Sequence, residues 1–307
     1  MTMKAAHFID VGPSLAGHLH LHFSVIHSFC NAVCLAIEAN PDSPIVIFPN
    51  DASASSLSNA ILLYGAYLIL CKGQTLDAVV DALRNSVEAG QHLVLFPRSC
   101  DRSILDALSA IERALALDWL APPNTAEEPA LDIGKATHYA HPANGGLQTV
   151  VPDRLRFFPS PVSLSAGQAW ADASPADASP RRRFSAAFLA ELLADFGVSA
   201  VVCLGLTRSS DLAAFRGCGL DVHDLDLDRQ RLALLGAMDR LVSLAHAAPG
   251  AVAVCSWEGD DGSLAGRESI QTLGAAWLMA EGGFGTEAAE AWVGMACSAA
   301  AGSVLEE

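Results

Sequence analysis

The chain has 307 residues, 51% of them hydrophobic and 17% charged, which predicts folded, helix-rich domains and excludes a disordered chain. No apolar run reaches the roughly 18 residues of a membrane span, and no signal peptide is visible, so we expect an intracellular, cytoplasmic or nuclear protein without membrane contact. The net charge of −16 argues against nucleic acid, whose binding requires neutralised phosphates, and favours basic partners or simply solubility.

The first half predicts short strands alternating with helices. Ile45–Phe48 is a brief β-branched run between prolines and predicts a buried strand, whereas the longer apolar segment Ser58–Cys71 predicts a buried helix. An amphipathic helix is expected over Thr75–Leu83. Leu93–Phe96 predicts another strand, and Asp101 is expected to cap a helix that runs to about Leu117.

A segment rich in Pro, Ser, Ala and Asp follows, between Ser160 and Arg183. It contains an internal echo of the motif Asp-Ala-Ser-Pro and ends in the triple arginine Arg181–Arg183. Such a composition buries too little apolar surface to offset its ordering entropy, so we predict a disordered insertion. The triple arginine is interpreted as part of a solvated loop, with a docking or targeting signal as the alternative.

The second half again alternates helices and strands. In chain order the predicted elements are helix Phe184–Phe196, strand Ala200–Leu204, short helix Asp211–Arg216, an extended stretch Val222–Leu227, helix Arg231–Ala247, strand Ala251–Val254, and helices Ser269–Glu281 and Thr286–Met295. The strand Ala251–Val254 is entirely apolar, which predicts a central parallel strand covered on both faces.

Eight cysteines are present, and no C-x-x-C pair occurs among them, so a structural zinc site is not expected. Five lie in apolar stretches, where a reduced cysteine packs as a small hydrophobe: Cys30, Cys34, Cys71, Cys203 and Cys297. Cys255 differs, because it follows an apolar strand and precedes a glycine-containing loop and a helix. Backbone N–H groups of such a loop stabilise a thiolate and a bound phosphate, although a cysteine there is more often structural.

Segments along nearly the whole chain carry a resemblance. They are Asp10–Pro13, Ile45–Phe48, Asn59–Tyr67, Ser103–Arg113, Val151-Pro152, Gly250–Cys255, Thr272–Met279 and Glu287–Trp292. In this order the series resembles the mitotic-exit dual-specificity phosphatases of the protein tyrosine phosphatase superfamily. The resemblance implies a role in the cell cycle and two tandem α/β domains packed side by side, each with a central, mainly parallel sheet flanked by helices.

The resemblance also implies roles for three residues. Cys255 would be the nucleophile that forms a thiophosphate, Asp228 the general acid that protonates the leaving oxygen, and Arg267 the group that binds the phosphoryl oxygens. No cofactor or metal is implied. His18, His20 and His22 would share a face only on a strand, and the segment that resembles the family is helical, so a metal site there is not expected.

The predicted catalytic loop departs from the family pattern H-C-x-x-x-x-x-R. Val254 replaces the histidine, Asp261 stands in the place of the arginine, and the first arginine after Cys255 is Arg267. Arginine binds two phosphate oxygens as a fork, which a carboxylate cannot do, and Glu258 and Asp260 would add repulsion. Asp228 also has a second interpretation, as part of a solvated acidic edge.

Three segments are therefore predicted. Residues 1–150 form a phosphatase-like domain without a cysteine motif, residues 151–183 a junction with the disordered insertion, and residues 184–307 a phosphatase-like domain with the Cys255 loop. We expect a pseudophosphatase that binds a basic or phosphorylated protein partner. The alternative is an active phosphoprotein phosphatase that hydrolyses tyrosine or serine phosphate through Cys255.

Overall fold

The structure is a computed structural model that describes residues 7–10, 21–48, 54–88, 104–123, 125, 128–165, 167–172, 182–204, 209–225, 231–256 and 264–298. The chain forms two compact units, one of Met1–Ile133 with Glu287–Glu307 and one of Gly134–Thr286. In chain order the elements are β1 (His7–Asp10), α1 (Phe23–Ala39), β2 (Ile45–Phe48), α2 (Ala54–Lys72), α3 (Leu76–Glu88), α4 (Ile104–Ala116), α5 (Ile133–Ala140), β3 (Gln148–Val151), β4 (Leu155–Phe158), β5 (Trp170–Asp172), β6 (Arg182–Phe184), α6 (Ala186–Asp195), β7 (Val198–Leu204), α7 (Ser209–Gly217), β8 (Asp221–Leu225), α8 (Arg231–Ala247), β9 (Ala251–Ser256), α9 (Leu264–Glu281) and α10 (Thr286–Cys297).

The first unit is mainly helical and has α2 at its centre. This helix is apolar around most of its circumference, so it is buried against α1, α3 and α4. Leu62 and Ile69 of α2 have no exposed surface. The start of α3 is held by α4, because the Leu76 N–H donates to the Glu112 carboxylate at 2.8 Å, where the helix dipole favours an anion.

Aromatic packing places the last helix in this same unit. Trp292 of α10 is fully buried, and its ring centroid lies 4.4 Å from that of Phe23 and 5.6 Å from that of Trp119. Alongside the helices, β1 and β2 form a parallel pair. The buried strand predicted at Ile45–Phe48 is present as β2, but Val46 and Phe48 are exposed and Ile45 and Ile47 only partly buried, so the expected burial is wrong.

The second unit is built on a five-stranded sheet of order β3-β4-β9-β7-β8. Only β3 is antiparallel to its neighbour; β4, β9, β7 and β8 run in parallel. The strand predicted at Ala251–Val254 is confirmed as the central parallel strand β9, with every residue from Ala251 to Cys255 buried. The predicted mixed α/β class, with a mostly parallel central sheet flanked by helices, is confirmed. That the two units are tandem phosphatase-like domains stays a prediction.

Most predicted elements of the second half are observed. The helices at 184–196, 211–216, 231–247, 269–281 and 286–295 correspond to α6, α7, α8, α9 and α10, and the strands at 200–204 and 222–227 to β7 and β8. In the first half, the helices expected over 58–71, 75–83 and 101–117 correspond to α2, α3 and α4. The strand predicted at Leu93–Phe96 and the cap Asp101 lie outside the described residues.

The disordered insertion predicted between Ser160 and Arg183 contains one described strand pair, because β5 and β6 are antiparallel neighbours. Strand β4 lies before this insertion, in the predicted junction, and pairs with β9 at the centre of the sheet. Arg182 holds β5 and β6 together, because its Nε donates to Asp172 at 3.0 Å and its guanidinium lies 5.5 Å from the Trp170 ring centroid. Residues 173–181 lie outside the described part of the chain, and β3 spans the predicted boundary at residue 150.

Candidate active site

Cys255 lies at the carboxyl end of the central strand. The small and β-branched residues before it suit a strand buried on both faces, so Cys255 becomes the penultimate residue of β9. In open parallel sheets, ligands bind outside the carboxyl ends of the strands. Because β4, β9, β7 and β8 are parallel, the segments that follow them begin at this same edge. The fold therefore places Cys255 where a site would form.

The Cys255 side chain is part of the hydrophobic core. In the sheet, Cys255 is paired with Phe158 of β4 and Cys203 of β7, and it packs in one cluster with them and with Phe215. It has no exposed surface, and its Sγ lies 3.9 Å from the Ser160 Oγ. In the described structure the thiol is therefore screened from solvent.

The structure does not bring the three predicted catalytic residues into one described site. Arg267 lies in the first turn of α9. Asp228 falls outside the described residues, as do Glu258, Asp260 and Asp261. The roles assigned to Cys255, Asp228 and Arg267 stay predictions. Ser160, which sequence reasoning did not select, lies next to the cysteine because a parallel register joins β4 to β9.

His22 occupies a different position from the one expected. The segment containing it was predicted to be helical, but His22 is extended (φ −60, ψ 150) and is the N-cap of α1. Its Nδ1 accepts from the Ser24 N–H at 3.2 Å. Burial lowers the pKa of His22 to about 4, so the ring is neutral at pH 7. His18 and His20 lie outside the described residues.

Sequence reasoning also missed a group of three cysteines in the first unit. Cys34 and Cys71 were expected to be packed like Cys30, Cys203 and Cys297, but both are only partly buried. The pKa of Cys71 on α2 is lowered to about 7, chiefly by the neighbouring thiol of Cys30 on α1 and further by that of Cys34. The spacing of Cys30 and Cys34, one helical turn, was the available signal. Cys71 could not be linked to them without the packing of α1 on α2.

The described ranges also bear on metal binding and on membrane insertion. No group of three or more His, Cys, Asp or Glu residues in those ranges is arranged to hold a metal ion. None of the helices described has both the length and the apolar character needed to cross a membrane. Neither the models of known protein families nor the curated proteins that were compared with the chain gave a match.

Proposed function

We propose that this chain is a pseudophosphatase of the mitotic-exit dual-specificity type, which binds a basic protein partner and does not hydrolyse phosphoesters. The observation that carries the proposal is the placement of Cys255 at the carboxyl end of a central parallel strand, with its side chain fully buried. The position of Cys255 at the end of this strand is the one that the family resemblance implies for the nucleophile. Its burial argues against a role of Cys255 as the nucleophile.

Phosphoryl transfer requires the sulfur to approach phosphorus. A reactive geometry brings the attacking and attacked atoms to about 3–3.5 Å, which a side chain without exposed surface cannot offer. The core packing of Cys255 against Phe158 and Cys203 would have to open first. The burial therefore argues that the Cys255 thiol has a structural role and that a partner binds at the edge of the sheet around it.

The residues after Cys255 support the loss of turnover independently. Asp261 takes the place at which the family pattern has arginine, and the first arginine, Arg267, is already in α9. At about 4 Å, two like charges repel by roughly 4 kcal/mol at an effective dielectric of 20, so acids near a phosphate weaken its binding. Loss of one charge-stabilising donor alone reduces an enzymatic rate by about 100- to 1,000-fold.

The partner is inferred from charge. With 34 acidic residues against 18 Lys and Arg, the surface potential favours a segment rich in Lys and Arg. Binding to such a peptide should weaken as salt is added. At 0.1 M salt the attraction between exposed charges decays over a distance of about 10 Å. Calorimetric titration of a Lys/Arg-rich peptide should show this salt dependence, and an acidic peptide of equal length should not bind. Equal binding of the two peptides would contradict the proposed partner.

The catalytic part of the proposal is tested with p-nitrophenyl phosphate. We expect hydrolysis by the unmodified protein to equal that of Cys255→Ser and of buffer. Cys203→Ser is the matched control, because Cys203 is the strand neighbour of Cys255 and is equally buried. Turnover that is lost in Cys255→Ser and retained in Cys203→Ser would overturn the proposal and favour an active phosphatase.

A further inference from the structure

The five-stranded sheet of the second unit has two lateral edges, and they differ in exposure. One edge is β3, whose register against β4 is irregular between Thr149 and Val151 and which is buried over those residues. The other edge is β8, which pairs with β7 along its whole length and of which only Leu225 is buried. Among the described strands, none pairs with the outer side of β8. Of the two edges, β8 is therefore the one that a partner can reach.

The outer side of β8 can accept an added strand. An edge strand carries backbone N–H and C=O groups that point away from its neighbour and offer hydrogen bonds to another chain. Proteins commonly block such edges with proline, a bulge or charged side chains. Strand β8 has no proline, and its register with β7 is regular, so charge alone protects it. Because that charge is negative, it repels an acidic strand and attracts a basic one.

The side chains of β8 fix the strand and leave its acids in solvent. Leu225 is buried and Val222 packs against the core of the second unit. Asp221 and His223 share one face of the sheet, where the His223 Nε2 lies 2.9 Å from the Asp221 carboxylate, and Asp224 lies on the other face. Both aspartates are exposed. The strand therefore presents one carboxylate on each face of the sheet.

The spacing of the two acids defines what an added strand needs. Residues directly opposite each other on neighbouring strands have Cβ atoms about 5 Å apart, which is close enough for ion pairs between longer side chains. Asp221 and Asp224 are three positions apart and lie on opposite faces, so residues i and i+3 of an added strand would lie opposite them. Lys or Arg at these two positions would pair with both acids.

We propose that the outer edge of β8 binds an extended segment of a partner as an added strand, with two Lys or Arg residues three positions apart opposite Asp221 and Asp224. This rests on the basic partner proposed above and adds where, and in which conformation, that partner binds. The added strand would lie near the cysteine, because Asp224 is paired with Cys203 and Cys203 with Cys255. Two strand spacings separate Asp224 from Cys255, a distance of about 10 Å.

Calorimetric titration with designed peptides tests the spacing. The probe is acetyl-Thr-Lys-Val-Thr-Lys-Val-Thr-amide, whose lysines are three positions apart and whose β-branched residues favour an extended backbone. The isomer acetyl-Thr-Lys-Val-Lys-Thr-Val-Thr-amide has the same composition and charge, but its lysines are two positions apart. We expect the probe to bind more tightly, because the isomer brings only one lysine at a time opposite an acid. Equal affinities of the two peptides would overturn the proposed alignment.

Methylation of the peptide backbone distinguishes strand addition from simple charge attraction. In a bound strand, only alternate residues turn their N–H groups toward the neighbouring strand. Two versions of the probe are therefore N-methylated, each on one of the two alternating sets of residues. We expect one version to lose binding and the other to retain it. Equal affinities of the two versions would show that backbone pairing does not contribute, which would overturn the proposal.

Substitutions in the protein test the location. Asp221→Asn combined with Asp224→Asn should weaken binding of the probe about 2- to 30-fold, the effect expected from two cross-strand ion pairs. Glu191→Gln combined with Asp195→Asn is the matched control, because both residues are exposed on α6 and the change in charge is the same. Equal affinities of the two double variants would overturn the assignment to β8. The methylated peptides are measured on the unmodified chain, so a variant that fails to fold leaves the test intact.

Two outcomes separate the failure of this site from the failure of the proposed function. If the probe binds no better than an acidic peptide of equal length, the basic partner and the β8 site are both wrong. If it binds but the β8 variant matches the α6 control, only the site is wrong. Sedimentation tests for a second copy of the chain: a dimer that the probe dissociates would assign this edge to self-association and overturn the proposal.

Discussion

At the scale of single residues, His22 shows how a buried ring can make stability depend on pH. Its Nδ1 accepts the Ser24 N–H at the start of α1, so a proton there would remove the acceptor. It would also place a cation at the positive end of the helix dipole. Burial lowers the pKa of His22 to about 4, so the folded chain resists protonation until about pH 4, whereas the unfolded chain takes up the proton near 6.5.

The sign of the effect follows from the lowered pKa of His22. Below pH 6.5 the unfolded state binds a proton that the folded state does not, so the free energy of unfolding falls by about 1.4 kcal/mol per pH unit until about pH 4. His27, whose pKa burial also lowers, acts in the same direction. Urea unfolding between pH 7 and 4.5 should show this loss.

The variant His22→Asn isolates the contribution of this ring. Asparagine is a good N-cap without a titrating group, so the cap persists while the pH dependence of His22 disappears. We expect the fall in the free energy of unfolding between pH 7 and 4.5 to be about 2–3 kcal/mol smaller in the variant. If the free energy of unfolding fell equally in the two proteins, His22 would not control its pH dependence.

At the scale of elements, the entry into β9 depends on Gly250. A Cβ at this position would overlap the carbonyl oxygen of Gly197. That oxygen cannot easily move, because it accepts the Ala251 N–H at 3.0 Å. The Gly250 N–H is itself held by the Ser199 Oγ at 3.0 Å. The absence of a side chain here lets the chain turn from α8 into the central strand.

Two alanine substitutions distinguish crowding from backbone entropy. Gly250→Ala should lower the free energy of unfolding by about 1–3 kcal/mol, because it overpacks a fixed backbone. Gly236→Ala, at an exposed position of α8 with nothing within 4 Å of the added Cβ, should raise it by about 0.5–1 kcal/mol. Thermal unfolding measures both. If Gly250→Ala were as stable as the unmodified protein, the turn before β9 would be shown to adjust to the added Cβ.

The hydrophobic pattern of the sequence predicted those elements whose residues all have similar surroundings. The strand β9 and the helix α8 were both predicted at the right positions, because the residues of each element are enough to indicate its secondary structure. Strand β4 was missed because it carries Arg156 at its centre, which argues against burial. Arg156 is only 7% exposed: its guanidinium donates to the Thr149 Oγ1 at 2.6 Å and lies 4.8 Å from the Phe196 ring centroid. These partners are not apparent from local pattern.

The same reasoning applies to the candidate sites. The position of Cys255 at a strand end follows from local sequence and was predicted, but its burial depends on Phe158 and Cys203, which come from two other strands. Cys34 and Cys71 affect each other's pKa across the packed helices α1 and α2. A contact between residues far apart in sequence requires the tertiary structure, and propensity and spacing do not supply it.

At the scale of the whole molecule, the first unit is completed by a helix that follows the second unit in sequence. Helix α10 packs Trp292 against Phe23 and Trp119, so residues from both ends and from the middle share one aromatic cluster. Such a non-local core makes the unit depend on a helix that is synthesised after residues 134–286. Chains that stop before α10 lack one wall of this core.

Trp292→Ala should therefore destabilise the first unit by about 3–5 kcal/mol, the usual cost of removing a large buried aromatic side chain. Hydrogen exchange should show the loss in amides of α1 and α4. Trp170→Ala is the matched control, because Trp170 is 45% exposed and its removal leaves a smaller void. Equal protection of α1 in both variants would contradict a structural role for the Trp292 contacts.

Strand β8 ends the described five-stranded sheet, and its composition bears on how the protein behaves at high concentration. An open strand edge offers N–H and C=O groups on which a strand from another molecule could align, the first step toward fibrillar aggregates. The edge of β8 carries Asp221, His223 and Asp224, with the His223 Nε2 2.9 Å from the Asp221 carboxylate. A second copy aligned on this edge would bring its own acids opposite these. Repulsion between these acids should disfavour edge-to-edge association of two copies through β8.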